Sequence, residues 1–391
     1  MLPFHKCCRI YETKGSVICE IRVKGFIKFA RRALGSQEMP GDIPITQRLR
    51  CEREVKGGLL SQYEACELCP RRCGVDRTAG QVGFCGEANR LRIATIEAHR
   101  GEEPPISGKN GSGTVFFSGC SLRCMSCQNY QISQEGLGRE WTLQEVVDRL
   151  AALREHEGIH NVNFVTPDHF LPHTVAVVRL LRERGIRIPT VYNLSGYQRI
   201  ESLRLIDSVA DIYLPDFKYA DAALASSLSR SSDYATVALE ALCEMVRQKG
   251  FLDISITDGD SEIGKVGTDD LFTAAREGVL VRHLILPGQV QNSLQALSML
   301  FVEFGGELPI SLMSQYVPVH QFSPGSPLNR RVTRDEFQEV FQHAQELSFR
   351  NLFVQYPEEV ATDTGLFLPD FRAANPFPGN VRNRTREIGD G

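Results

Sequence analysis

From residue 114 to residue 355 the sequence alternates apolar strand-like stretches with amphipathic ones, and this alternation constrains the fold more than any other feature. Strands are predicted at 114–118, 161–166, 188–193, 211–218, 279–287, 308–315 and 351–355, and helices at about 142–156, 173–184, 199–207, 220–228, 235–249, 293–304 and 333–348. Thr142 followed by Glu145 is typical of a capping box at a helix start. Such alternation indicates parallel strands with right-handed crossovers. The pattern allows either a partial or complete α/β barrel or an open doubly wound sheet.

Three cysteines follow the first predicted strand. Cys120, Cys124 and Cys127 have the spacing C-x3-C-x2-C in the stretch TVFFSGCSLRCMSCQNYQIS. A loop after a strand lets three thiolates turn inward on one metal centre. Zinc takes four protein ligands, or three at a catalytic site, whereas a [4Fe–4S] cluster is usually held by four thiolates. On such a cluster, three cysteines leave one iron without a protein ligand.

A second group of cysteines precedes the alternating region. Cys66, Cys69, Cys73 and Cys85 are separated by two, three and eleven residues, with glycines between them that suit tight turns. Four thiolates complete the shell of a structural zinc ion or of a second iron–sulfur cluster. The spacing does not choose between these metals, and four unmetallated cysteines are the alternative.

Composition narrows the class of protein. A chain of 391 residues can bury a barrel-sized core, and a net charge of −4 argues against a general nucleic-acid-binding surface. No apolar run approaches the ~20 residues that cross a bilayer. Seven of the twelve cysteines lie in the two groups above, which favours metal-bound thiolates in a reducing compartment over disulfides. We therefore expect a cytoplasmic protein without a nucleic-acid or membrane partner.

The sequence suggests four regions. Residues 1–57 are a variable basic extension, in which IRVKGFIKFARRAL interleaves apolar and basic residues at roughly helical spacing; a partly disordered leader is expected, with an organelle transit peptide as the alternative. Residues 58–110 are the cysteine-rich segment and a linker that runs from about 91 to 113. Residues 111–356 are the barrel, with an insertion loop at 251–277. Residues 357–391 are a peripheral tail.

The sequence around the cysteines resembles the radical S-adenosylmethionine (SAM) superfamily. The words FFSGC and CQNYQIS are similar to one branch, the homologues of the pyruvate formate-lyase activating enzyme (PflX-like), and CELCPRRCG, NLSGYQ and DIYLPDFKY extend the resemblance over about residues 62–356. The resemblance implies a partial (β/α)6 TIM-type barrel with an N-terminal four-cysteine metal knuckle. It also implies a [4Fe–4S] cluster on Cys120, Cys124 and Cys127 that binds SAM at its fourth iron and cleaves it reductively to a 5′-deoxyadenosyl radical. The substrate implied by the branch is a glycyl position of a partner protein, and the electron donor is of the flavodoxin or ferredoxin type.

Polar residues at the ends of the later strands are candidate SAM contacts. Asp216 and Lys218 share one face of a strand and resemble the Asp-x-Lys pattern with which activating enzymes bind the amino-acid part of SAM. Arg282 resembles the arginine of their fifth strand, and a guanidinium can bind a carboxylate bidentately. Asn193 ends the third strand. Gln315 and Tyr316 end the sixth strand and are site candidates of lower weight, whereas His283 points to the opposite face of its strand and is expected to be structural.

Two positions depart from the family pattern. Ser126 stands where many superfamily members carry an aromatic residue over the SAM adenine. VTPDHF replaces the Gly-Gly-Glu motif that receives the SAM amino group, so Thr166 and Asp168 are the polar substitutes. His169 and His173 are either metal ligands or, as we favour, loop and helix-start residues, and His169 is also a candidate proton donor.

Other functions stay open at this point. The chain could be a radical SAM enzyme that acts on a small molecule or a peptide. It could also be a non-enzymatic iron–sulfur or zinc protein with a structural or redox-sensing role. The sequence does not supply the substrate, the electron donor, the metal of the four-cysteine group or the oligomeric state.

Overall fold

The computed structural model describes residues 58–254, 274–357 and 368–377, together with the backbone of three strands near the N-terminus. The strands are β1 (Cys8–Thr13), β2 (Ser16–Val23), β3 (Phe26–Ala30), β4 (Arg92–His99), β5 (Ser112–Phe117), β6 (Arg139–Glu140), β7 (Val162–Val165), β8 (Thr190–Leu194), β9 (Ile212–Pro215), β10 (Gly278–Val279), β11 (Val281–Leu284), β12 (Ile310–Met313) and β13 (Leu352–Val354). The α-helices are α1 (Pro104–Ser107), α2 (Tyr130–Ser133), α3 (Leu143–Glu157), α4 (Leu171–Glu183), α5 (Ile200–Ile206), α6 (Ala222–Ser229), α7 (Tyr234–Lys249), α8 (Val290–Phe304) and α9 (Arg334–Glu346). All seven predicted strands and all seven predicted helices are present.

Parallel strands form the centre of the molecule. One sheet contains the run β5-β7-β8-β9 and another the run β11-β12-β13, with parallel pairing throughout each run. The segment from β10 to β11 joins them, because β10 pairs with β9 and β11 pairs with β12. A parallel bridge between Asp216 and Arg282 completes the junction. The prediction of a partial (β/α)6 barrel is confirmed, with β13 as a seventh strand.

Side chains on β5 mark the two faces of this curved sheet. Val115 and Phe117 belong to the main core that the helices cover, whereas Phe116 belongs to a separate cluster with Val165 and Phe377. Successive residues of a strand point to opposite faces, so Phe116 lies on the inner face of the barrel. Outside, helix α3 begins with the predicted capping box between Thr142 and Glu145.

Strand β4 corrects the prediction of a linker at 91–113. It pairs antiparallel with β5 and thereby covers the first edge of the barrel. The register shifts between Ile93 and Thr95, and this irregularity breaks the period-2 alternation by which a strand is recognised. The strand was therefore hidden in the sequence although Ile93, Ile96 and Ala98 are buried.

The helical spacing noted in the N-terminal extension is also misleading, because the described backbone there forms strands. Strands β1, β2 and β3 pair antiparallel with one another, and β3 pairs with β13 at the far edge of the barrel. In the sequence of β2, Val17, Cys19, Ile21 and Val23 alternate with other residues, which is the strand period. The remaining residues of 1–57, and with them most of the proposed leader, lie outside the described residues.

Two other predicted regions are partly described. Of the insertion loop, 255–273 lie outside the described residues, while Leu252 N–H donates to Val279 and Ala275 N–H donates to Pro105, at 3.0 and 2.8 Å. The tail is not peripheral where it is described, because the 368–377 segment packs on the inner face of β5 through Phe371 and Phe377. No helix in the described ranges has both the length and the apolar character to cross a membrane.

Candidate active site

A cavity opens at the carboxyl ends of the parallel strands, where α/β barrels place their chemistry. Residues of β5, β7, β8, β11 and β12, and Asp216 directly after β9, contribute to its wall. The loop after β5 supplies Cys124, Ser126 and Cys127. The later strand ends supply the following lining residues: Thr166, Asn193, Asp216, Lys218, Arg282 and Gln315. The barrel therefore brings the predicted cysteine loop and most of the predicted SAM contacts to one cavity.

The cysteine loop is buried and provides donors to sulfur. Cys120 and Cys124 are buried, and Cys127 is half-buried. Leu122 N–H donates to Cys120 Sγ at 3.3 Å, and the Ser133 hydroxyl donates to Cys127 Sγ at 3.4 Å. Burial, followed by the neighbouring thiols, raises the pKa of Cys120 and of Cys127. These thiols are therefore neutral until a metal ion, the strongest local charge, deprotonates them.

Metal ligands are not preassembled in the described residues: no three His, Cys, Asp or Glu side chains there are gathered as a metal site would gather them. The donor set still fits an iron–sulfur cluster, because thiolate sulfur is the ligand such clusters take. N–H and O–H groups that point at sulfur are also the interactions that tune them.

Lys218 and Asp216 form an ion pair at the cavity wall. Lys218 Nζ lies 2.5 Å from Asp216 Oδ2. Burial alone would lower the pKa of Lys218, but the Asp216 carboxylate raises it above its usual range. The Tyr234 hydroxyl donates to the carbonyl of Asp216 and accepts from Lys218 N–H, at 2.9 and 3.0 Å. The pair is thus a fixed ammonium and carboxylate, suited to a zwitterion.

Arg282 lies in the cavity wall with two partners that the sequence did not reveal. Its Nη1 is 3.4 Å from Glu102 Oε2, and its Nε is 3.0 Å from Glu103 Oε1. Both carboxylates are buried and come from the segment between β4 and α1. The guanidinium is therefore already neutralised, which weakens its prediction as a carboxylate receptor. The Glu-Glu-Pro-Pro sequence before α1 is the local feature that could have drawn attention to these two glutamates.

Asp168 does not line the cavity, contrary to the prediction. Its Oδ1 accepts from the Ser195 hydroxyl at 2.9 Å and from the Gln198 side-chain amide. Thr166, which does line the cavity, has a φ of 55°, a conformation that costs a β-branched residue ~1–3 kcal/mol. The chain turns at this strained residue, so the side chain of Asp168 meets the loop after β8 rather than the cavity.

The two candidate histidines join the cysteine-rich segment to the barrel. His173 Nδ1 shares a hydrogen bond of 2.7 Å with the Tyr63 hydroxyl, and His169 Nε2 lies 2.6 Å from the carbonyl of Ser118. Arg77 is fully buried between them and donates to the carbonyl of His169 at 2.7 Å. Their contacts agree with the favoured interpretation as loop and helix-start residues.

His283 and Tyr316 are also structural. The imidazole of His283 lies between the Phe217 carbonyl and the Ser293 hydroxyl, at 2.6 and 2.9 Å, as expected for the opposite face of its strand. The hydroxyl of Tyr316 donates to the carbonyl of Leu328 at 2.7 Å. Gln315, by contrast, reaches the cavity.

The four-cysteine knuckle lies directly against the cysteine loop. Cys66, Cys69 and Cys85 are buried, and Cys73 is exposed but accepts from Phe84 N–H at 3.3 Å. Cys120 N–H donates to the carbonyl of Cys85 at 3.3 Å. One hydrogen bond thus connects a cysteine of the knuckle to a cysteine of the loop.

One part of the cavity wall was not predicted from the sequence. His99 at the end of β4, Phe116 on β5 and Phe377 of the 368–377 segment line it together. Their ring centroids are 4.5 Å apart for His99 and Phe377, and 5.1 Å apart for Phe116 and Phe377. No local signal marks such a contact, because it joins residues more than 250 positions apart in the chain.

A comparison with protein families shows what the barrel region is similar to. The model of the radical SAM superfamily matches residues 114–266. The matched residues, about two fifths of the chain, are similar to a radical SAM domain. The match begins in β5 and includes the cysteine loop together with β7, β8 and β9. Members of this superfamily use a [4Fe–4S] cluster and SAM, so this similarity agrees with the donor set of the loop. The PflX-like branch is not decided by this match.

Similarity to individual proteins is more distant. The uncharacterized protein MJ0674 of Methanocaldococcus jannaschii is 26% identical over 290 residues, which cover 72% of this chain and 75% of the relative. HydG, a maturase of the [FeFe]-hydrogenase, has a TM-score of 0.40 at 15% identity over 60% of this chain, which spans about half (49%) of HydG. Methylornithine synthase (PylB) has a TM-score of 0.40 at 14% identity, with 69% of this chain and 74% of PylB covered. These scores are too low to carry an argument about activity.

Proposed function

We propose that this protein is a radical SAM enzyme in which Cys120, Cys124 and Cys127 hold the [4Fe–4S] cluster. The observation that carries the proposal is that the cysteine loop opens into the same cavity as the ion pair of Asp216 and Lys218. A sensor or a structural metal protein needs a ligand set but not a charged cavity beside it. This arrangement therefore favours the enzyme over the non-enzymatic alternative.

The cluster would supply one electron to the sulfonium of SAM and so yield methionine and a 5′-deoxyadenosyl radical that abstracts hydrogen. The ion pair of Lys218 and Asp216 would hold the carboxylate and the ammonium group of SAM. Asn193 and Thr166, from the neighbouring strand ends, would complete this binding surface. Arg282 would act together with its two glutamates, and Asp168 would fix the loop after β8 through Ser195 rather than touch SAM.

Apolar residues supply another part of the wall. Leu284, Leu286 and Met313 line the cavity at the ends of β11 and β12. We assign the adenosyl part of SAM to this wall, because Ser126 offers no aromatic surface. The same wall excludes water from the site where the radical would form.

The knuckle of Cys66, Cys69, Cys73 and Cys85 would bind zinc or a second iron–sulfur cluster. Three buried thiols, the N–H donor to Cys73 and the buried cation of Arg77, whose Nη1 is 3.7 Å from Cys66 Sγ, are suited to an anionic tetrathiolate centre. Because Cys85 of the knuckle accepts a hydrogen bond from Cys120, metal binding to the knuckle would influence the position of the cysteine loop.

The branch and the substrate are further proposals. Resemblance to activating enzymes favours a glycyl position of a partner protein as the site of hydrogen abstraction. A small molecule or a peptide is the alternative, because the Gly-Gly-Glu motif is replaced. The electron would come from a flavodoxin- or ferredoxin-type protein, and the abundance of metal-ligand thiols favours the cytoplasm.

Metal analysis after anaerobic reconstitution tests the cluster assignment. We expect Cys124→Ala to lose about four irons per chain relative to the wild type. Cys243→Ala is the matched control, because Cys243 lies on α7 and its thiol contacts Glu303 rather than either cysteine group. Cys69→Ala reports the metal of the knuckle separately. Zinc alone, unchanged by Cys124→Ala and without binding of SAM, would favour the non-enzymatic protein instead.

A further inference from the structure

We propose that the part of the cavity lined by His99, Glu102, Phe116 and Phe377 is a subsite for an ammonium group of the substrate. The inference rests on the proposed function and adds the chemical class of the substrate. Glu102 would accept from the ammonium group as a carboxylate, His99 would accept as a neutral imidazole, and the two phenyl rings would surround the adjoining carbon atoms.

Charge is the first argument. Three carboxylates, of Glu102, Glu103 and Asp216, face two cations, of Lys218 and Arg282. The Lys218 ammonium is paired with Asp216. The Arg282 guanidinium is therefore the single cation that pairs with the buried carboxylates of Glu102 and Glu103. Burial raises the pKa of Glu102 and of Glu103, and Arg282 opposes this only in part. These five groups thus have one negative charge in excess, or one carboxyl group retains a proton, and a bound cation would remove that cost.

Glu102 is the carboxylate that such a cation can reach. It lines the cavity, whereas Glu103 lies behind it and is fully buried. Glu102 is held in place because its Oε1 accepts from the Asn163 side-chain amide at 3.0 Å while its Oε2 faces Arg282. Each carboxylate oxygen has two lone pairs, so these partners leave acceptor capacity for a ligand.

His99 is an independent second observation. Its side chain lines the cavity and is 6% exposed, and its Nδ1 has no hydrogen-bond partner among the described residues. Burial, followed by Arg282, lowers its pKa to about 3, so the ring is neutral and one of its nitrogens is an acceptor. A buried ring nitrogen without a partner is unusual. An N–H donor on the ligand would satisfy it after a small rotation of the ring, because the Nδ1 atom is itself covered in this structure.

The aromatic walls are consistent with the same class of ligand. Phe116 and Phe377 pack against His99, and aromatic faces attract a desolvated cation. Phe377 is tied to the cysteine loop, because Gln131 of α2 donates to Asp370 at 3.0 Å and accepts from Phe371 N–H at 2.6 Å. A carboxylate at this position would be repelled, and a neutral alcohol would leave the excess charge uncompensated.

Three matched probes test the inference: n-hexylammonium, 1-hexanol and hexanoate, titrated by calorimetry into the anaerobically reconstituted protein with SAM present. We expect n-hexylammonium to bind at least about tenfold more tightly than either of the others. Glu102→Gln should remove that preference, whereas Glu140→Gln, at an exposed carboxylate of β6, should keep it. Equal binding of the three probes, or no binding of n-hexylammonium to the wild type, would overturn the inference.

Further variants keep the test decisive if Glu102→Gln does not fold. Phe377→Ala and His99→Leu should each weaken binding of n-hexylammonium several-fold, with thermal unfolding as the check on folding. Unchanged binding in both folded variants would reject the subsite. Iron content and SAM binding, measured on the same samples, keep this failure distinct from failure of the proposed function, since both would persist if only the ammonium subsite were wrong.

Discussion

Gly119→Ala should damage the contact between the two cysteine groups. Gly119 precedes Cys120 and has a φ of 79°, in the left-handed region. A Cβ atom at this position would lie 2.7 Å from the carbonyl oxygen of Cys85 and 2.5 Å from Cγ of Glu87. The first neighbour is backbone, and Glu87 is held by an ion pair of 3.3 Å to Arg92, so neither yields easily. The loop must therefore shift away from the knuckle.

A matched control separates the two contributions to the loss in free energy of unfolding, the backbone strain and the overpacking. Gly80 has a φ of 84°, but nothing lies within 4 Å of the Cβ atom that alanine would add there. Gly80→Ala therefore reports the backbone term alone, ~1–2 kcal/mol for an L-residue in the left-handed region. Gly119→Ala adds overpacking of ~1–3 kcal/mol. We expect its free energy of unfolding to be lower than that of Gly80→Ala by this second amount.

Urea unfolding of both variants without metal measures this difference, and iron content after reconstitution gives the functional readout. We expect Gly119→Ala to bind less iron than Gly80→Ala, because Cys120 moves with its neighbour. Equal stability and equal iron content in the two variants would refute the argument that close approach at Gly119 joins the knuckle to the loop.

The other predictions concern the support of the site. Arg77→Met should lower the free energy of unfolding by ~2–5 kcal/mol, because it leaves the carbonyls of His169 and Ala88 without their buried donor; a loss no larger than that of the exposed control Arg90→Met would contradict this. The Arg330 hydrogen bond lowers the pKa of Glu336 from 4.5 to about 2, so its contribution is full above pH 4.5 and is lost as the pH falls toward 2. Glu336→Gln should therefore be ~0.5–1 kcal/mol less stable than the wild type at pH 7 in thermal or urea unfolding, because solvent screens the half-exposed Arg330, and the difference should shrink below pH 4.5; a difference independent of pH would exclude the ionic mechanism.

Local patterns were sufficient to predict the alternating strands and helices, and the family resemblance favoured the barrel over an open sheet. Apolar strands between amphipathic helices, and the capping box of Thr142 and Glu145, are set by residues near one another in the sequence. The common location of the strand ends could also be predicted, because the carboxyl ends of parallel strands lie at one edge of the sheet. For this reason Asn193, Asp216, Lys218 and the cysteine loop could be assigned to one cavity in advance.

The missed parts depend on contacts between distant residues. A bulge concealed β4, and with β4 the position of Glu102 beside Arg282. The contact of Phe377 with His99 depends on how the C-terminal segment returns to the barrel, which no local pattern records. Asp168 was misplaced because its direction is set by the strained backbone of Thr166, a conformation that the sequence gives no reason to expect for threonine.

The central claim is that the cysteine loop holds a cluster that cleaves SAM reductively in this cavity. The most direct test is to quantify 5′-deoxyadenosine by mass spectrometry after anaerobic incubation of the reconstituted protein with SAM and dithionite. We predict that 5′-deoxyadenosine forms together with methionine in the wild type and is absent with Cys124→Ala. No 5′-deoxyadenosine from a sample with a full complement of about four irons in the loop would contradict the claim.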